Sequence, residues 1–197
     1  SHLAVTFIYF FLVSVLRLVD GGFGGVGMLG ILGMLGLWAG AIVGTFFLDI
    51  DHLIYWFVTH PEAEDSREAR EIIRTRWTIG IRRTREIRGT IKELNELLKK
   101  VHFSHTRLIF HSVIGQAVLL ILTVYLLTSG GSTFGTGMIM AMNLHLLKDE
   151  WMDYFKAKDH LADWLFWQVK DEKIKNYTRE YLIGVSLIFL GLTSFLI

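Results

Sequence analysis

The chain contains no cysteine. Disulfides and thiolate metal sites are both excluded, so any metal ion must be held by His, Asp, Glu, carbonyl oxygen or water. Proline is nearly as scarce. Pro61 is the only one, and because the residue before a proline is steered out of helical backbone, a break is expected at His60. Charge is missing from a long stretch: Gly21 to Leu48 holds no Lys, Arg, Asp or Glu. The glycines there follow no strand and sit among membrane-apolar neighbours, which excludes a nucleotide-binding loop. The chain begins Ser1-His2 rather than with methionine, which suggests a trimmed or tagged start, so His2 is assigned no role.

What is there instead is hydrocarbon. Apolar residues make up 52% of the 197 residues, above the roughly 45–50% of an ordinary soluble domain. One domain is expected at this length. Five runs read as membrane spans: Leu3–Val19, Val26–Leu48, Leu108–Leu127, Phe134–Leu147 and Tyr181–Ile197. The first is not followed by a cleavage pattern and is read as retained. Gly36, Gly40 and Gly44 form a small-xxx-small stripe, suited to an internal helix contact or to a homo-oligomer. The expected fold is therefore an all-α polytopic membrane bundle.

Two polar stretches interrupt it. Residues 62–100 mix eleven Lys and Arg with eight acids, and Ile72, Ile73, Trp77 and Ile81 recur at helical spacing. This predicts a charged, amphipathic helical insertion. Its interleaved acids argue against nucleic acid as a partner. Residues 159–170 carry Leu161, Trp164, Leu165, Phe166 and Trp167, a pattern suited to a helix at the membrane interface. Of the 20 Lys and Arg, 19 lie between Glu62 and Arg179. With five spans they fall in two loops on one side, which the positive-inside rule makes cytoplasmic. The N-terminus is then cytoplasmic and the C-terminus outside, in a plasma or inner membrane.

That topology gathers ionisable groups at one face. Asp49, Asp51 and His52 close the second run, His105, Arg107 and His111 open the third, and His145 and Asp149 leave the fourth. His145 and Asp149 are four residues apart and share a helix face, as two ligands of one ion or as a ligand and its orienting partner. Asp49 and Asp51 cannot both face inward from one regular helix, and Asp51 is the favoured ligand. Ionisable groups at such depth are costly and usually functional. His60, His102 and His160 have no such company and are read as ordinary interfacial residues.

Asp49-x-Asp51-His52, Arg107-x-x-x-His111-Ser112 and His145-x-x-x-Asp149 together resemble the motif series of YdjM-type inner-membrane proteins, over roughly Gly36 to Asp153. Leu48 stands where that family has proline, and Thr106 where its middle motif has His. The resemblance implies a helical membrane protein, a divalent metal and hydrolysis of a phosphoester or related bond. The expected metal ligands are Asp51, His52, His111, His145 and Asp149, with Asp49 as a further ligand or general base. The mixed N/O donor set suits zinc first, with manganese, iron or magnesium as alternatives. Arg107 would orient a phosphate through its planar donor fork. The expected partners are the bilayer and a lipid or other phosphoester. A transporter, sensor or scaffold using the same ligands is the alternative, though the first and last runs offer almost no polar groups for conduction. A metal-free phosphatase of the phosphatidic-acid type would need a Ser-Gly-His sequence, which is absent.

Overall fold

The computed structural model describes residues 1–20, 28–79, 89–90, 92–94, 96–97, 108–130 and 132–197. Every regular element among them is helical. The chain divides into two compact units, Ser1–Leu48 with Ile109–Ile197, and Asp49–Leu108.

Among the described residues, the first unit holds five long helices: α1 (His2–Asp20), α2 (Met28–Phe47), α5 (Val113–Thr128), α6 (Thr133–Lys156) and α8 (Thr178–Thr193). α6 is the central one, in contact with the other four. It is buried over most of its length, whereas α1, α2, α5 and α8 turn Phe11, Leu35, Ile121 and Leu190 outward. Cross-contacts fix the directions. Thr6 meets Thr45, while Ser14 meets Met34 and Trp38, so α1 and α2 are antiparallel. Thr123 meets Asn143, and Gln116 meets Glu150, so α5 and α6 are antiparallel too. The starts of α1, α5 and α8 therefore share one end of the unit with the last turns of α2 and the polar half of α6.

Glycine sets how closely α2 and α6 approach. A Cβ built on Gly40 would overlap the carbonyl oxygen of Phe134, and one on Gly44 that of Met138. From the other side, a Cβ on Gly137 would overlap the carbonyl oxygen of Leu37. The small-residue stripe is thus spent on an internal contact, backbone against backbone, of the kind small residues permit between apolar helices.

The five expected spans become three candidates. Among the described residues, His2–Val19, Gly30–Thr59 and Glu172–Leu196 are helical stretches long and apolar enough to cross a membrane. α5 is apolar but, at 16 residues, shorter than the roughly 20 needed. α6 has 24 residues, but its final part carries Lys148, Asp149, Glu150, Asp153 and Lys156, of which the three carboxyls are buried among the other helices. The expected interfacial patch also turns inward: in α7 (Lys158–Leu165) and just after it, Leu161, Trp164, Leu165 and Phe166 are buried and pack together. Only Trp167 of that group is exposed.

In the second unit, α3 (Ile50–Ile54) runs into a π-helical turn, Tyr55–Thr59, and the helix stops ahead of Pro61 as expected. α4 (Glu64–Ile79) follows. Trp56, fully buried, packs with Ala69 and Leu97. Its indole N–H donates to Asp65 Oδ2 at 2.8 Å, fixing the corner between the turn and α4.

Candidate metal centre

His145 anchors the site. It lies in α6, 3% exposed, and its Nδ1 is 2.8 Å from the carbonyl oxygen of Thr45. A carbonyl only accepts, so Nδ1 carries the proton and donates. Thr45 lies in the last turn of α2, where carbonyls run out of helical N–H partners and the helix end is negative. This bond fixes the ring and directs Nε2 at Asp149, whose Oδ2 is 3.2 Å away. A ligand imidazole held by a carbonyl on its other nitrogen is the usual arrangement at metal sites.

His2, at the start of α1, completes the group. Its ring stacks on that of His145, with centroids 3.8 Å apart and planes 17° from parallel. Its Nε2 is 3.4 Å from Asp149 Oδ1. One donor atom from each of His2, His145 and Asp149 lies within 4.8 Å of the others, the only such group of His and carboxylate donors among the described residues. Asp149 lies past Leu147, beyond the apolar part of α6. Burial pushes its carboxyl up, but the His145 hydrogen bond and the imidazoles of His145, His2 and His111 outweigh this and hold it well below the usual range. A carboxylate that stays ionised beside two imidazole nitrogens, Nε2 of His145 and Nε2 of His2, fits a divalent ion. Three protein ligands leave a coordination position open, as catalytic zinc sites do.

His111 stands beside this group rather than in it. Its ring centroid is 6.0 Å from that of His145, edge to face, and 6.2 Å from Trp164. The bend that carries it is shaped by Ser112, which caps α5: its hydroxyl donates to the Ile109 carbonyl at 2.8 Å and accepts from the Gly115 N–H at 3.1 Å. Gly115 is required there, since a Cβ would press on the carbonyl oxygens of Ile109 and Phe110. Trp164 in turn donates to Asp153 Oδ2 at 3.0 Å.

A second polar layer crosses α5, α6 and α8. Gln116 Nε2 donates to Glu150 Oε2 at 3.2 Å, and the Tyr181 hydroxyl donates to Gln116 Oε1. Glu150 is fully buried with Oε1 unpartnered, and burial pushes its carboxyl up to about 8. The adjacent carboxyls Asp149 and Glu150 are thus driven in opposite directions, one toward charge and one toward neutrality.

Of the sequence-expected residues, His145, Asp149 and the neighbouring His111 come together in the first unit. Asp49, Asp51 and His52 belong to the second. There α2 has already ended, Asp49 precedes α3, and the break buries Asp51 while leaving Asp49 half-buried. Arg107, with His102 and His105, lies outside the described residues. His60 stacks on Tyr55 and meets the Thr59 hydroxyl. Sequence reasoning missed His2, Lys148, Glu150 and Asp153. Asp153 was signalled by a second step of four after Asp149, and Glu150 by matching seven-residue intervals, Gln116 to Thr123 and Asn143 to Glu150. His2 gave no signal, because its role arises only when α1 folds back. Compared with family models, curated proteins and solved structures, the chain matches none of them.

Proposed function

We propose that this protein is an integral membrane, metal-dependent hydrolase acting on a phosphoester at the cytoplasmic surface, a lipid head group being the natural substrate at that depth. The observation that carries the reading is the His2, His145 and Asp149 group at the polar end of a bundle whose outer helices are apolar. His145 and Asp149 would hold the ion from one face of α6 and His2 from α1, with zinc suited to the N/O donors. When bound, such an ion lowers the pKa of a coordinated water to about 7 and polarises a phosphoryl oxygen. The Thr45 carbonyl engages Nδ1 of His145 and orients the ring so that Nε2 is the nitrogen left to ligate the ion. His111, one ring away, is placed to exchange a proton with a group bound beside the ion. The motif resemblance to YdjM-type proteins agrees with this reading. Asp51 and His52 are expected as ligands, and Asp49 and Arg107 as catalytic groups, on sequence grounds alone; the three-ligand group of the first unit does not include them.

The orientation, with the N-terminus cytoplasmic and the C-terminus outside, rests on the one-sided distribution of Lys and Arg in the sequence. The test combines elemental analysis with a phosphoester panel. Purified protein should retain a divalent metal, His145→Ala and Asp149→Ala should lose it, and hydrolysis should follow occupancy. Full occupancy in both variants would overturn the site. Metal binding without cleavage of any lipid or soluble phosphoester, with zinc, manganese and magnesium each supplied, would favour a sensor or scaffold.

A further inference from the structure

Lys148 has no place in the reading above, yet its ammonium lies inside the donor group. Nζ is 3.2 Å from His2 Nε2 and 3.4 Å from Asp149 Oδ1. The side chain is 15% exposed, so the charge sits largely out of water, with Asp149 as its counter-charge. A lysine at the end of an apolar helix ordinarily snorkels toward water; this one bends into a cluster of acceptors. It also resolves a local conflict. With Nε2 of His2 accepting from the ammonium, the imidazole lone pair and the Asp149 oxygen, 3.4 Å apart, both lean on one shared cation instead of facing each other unscreened.

These are atoms that a metal ion would take. We infer that Lys148 is a built-in counter-cation that a divalent ion must displace from His2 and Asp149, so that it sets the metal affinity of the centre. The inference rests on the metal-centre reading and concerns its regulation. The exchange is a simple balance: the ammonium gives up its two acceptors, and these become ligands. No covalent bond changes. Because Lys148 adjoins Asp149 in the chain, the released ammonium stays tethered beside the loaded centre. The ensemble then gains net positive charge, which an anion entering the open coordination position would offset.

The experiment is zinc titration of the full-length protein in detergent, by calorimetry and by competition with a chelator of known affinity. Lys148→Met keeps the length and apolar stem of the side chain and removes its charge. It should bind zinc roughly tenfold or more tightly than the wild type, as expected when a like charge about 4 Å away is removed. Lys148→Arg, which keeps the charge, should stay within a few-fold of the wild type. Circular dichroism and gel filtration of each variant check that the fold is retained. Equal zinc affinity in folded wild type and Lys148→Met would overturn the inference while leaving the metal centre standing. Weaker binding in Lys148→Met would overturn it too, by making the lysine a support for the ligands. Absence of zinc binding from both proteins would overturn the metal centre itself, and this inference with it.

Discussion

His145 and His2 reach the same site by different routes. His145 is held by a carbonyl and by its place in the most buried helix of the bundle, so sequence spacing with Asp149 was enough to find it. His2 is held by stacking and by its distance to Asp149, and no spacing along the chain encodes either contact. Its contribution can be tested directly. His2→Ala should weaken zinc binding by roughly 100-fold or more, since even partners outside the coordination sphere are commonly worth 10–100-fold. Unchanged affinity in the chelator-competition assay would reduce the centre to His145 and Asp149 with ligands from elsewhere. The same contrast explains Glu150 and Asp153. Both were readable as polar residues at regular intervals in an apolar helix, but their partners Gln116 and Trp164 lie 34 and 11 residues away, and only folding pairs them.

At the level of helices, the α2–α6 contact dominates. Its glycines were legible as a packing stripe, but the sequence left open whether the partner was another copy or another part of the same chain. The backbone overlap that any side chain would create on this face decides for α6. Gly40→Val should therefore destabilise the fold by about 3 kcal/mol or more, at or beyond the upper end of ordinary overpacking, because carbonyl oxygens of a buried helix cannot move aside. Gly184→Ala on α8 is the matched control: nothing lies within 4 Å of a Cβ there, and helix propensity alone favours alanine by up to about 1 kcal/mol. Thermal midpoints of the two variants in one detergent give the comparison; equal midpoints would remove the close-contact argument. The aromatic run at Leu161 to Phe166 shows the same limit. Amphipathic spacing identifies an apolar face but not what covers it, and here Val113, Trp151 and Tyr181 cover it in place of lipid.

For the molecule as a whole, the helical class and the membrane character were legible from hydropathy, whereas the number of spans was not. A polar-ended helix such as α6 is tolerated because four others surround it, a circumstance no window along the sequence detects. The proposed orientation has a clean assay, since every introduced cysteine is unique in a chain that lacks them. Ser129→Cys, in the short connection between α5 and α6, should react with an impermeant maleimide added outside intact cells. Asp171→Cys, between α7 and α8, should react only after the membrane is opened. The reverse pattern would invert the topology, and outside labelling of both would mean that α6 does not cross.

The unequal attachment of the helices has a mechanical consequence. α2 and α6 are locked backbone to backbone, whereas α1 is joined to its neighbours by side-chain hydrogen bonds such as Thr45 to Thr6 at 2.9 Å, Trp38 to Ser14 at 3.1 Å and Tyr9 with Thr193 at 2.9 Å. Two of the three candidate metal donors ride on the locked pair, and the third rides on α1, which is seated by those bonds and by the buried Phe10 and Val13. An ion held there would tie α1 to the locked pair, so its affinity would report the seating of α1 as well as the chemistry of the ligands.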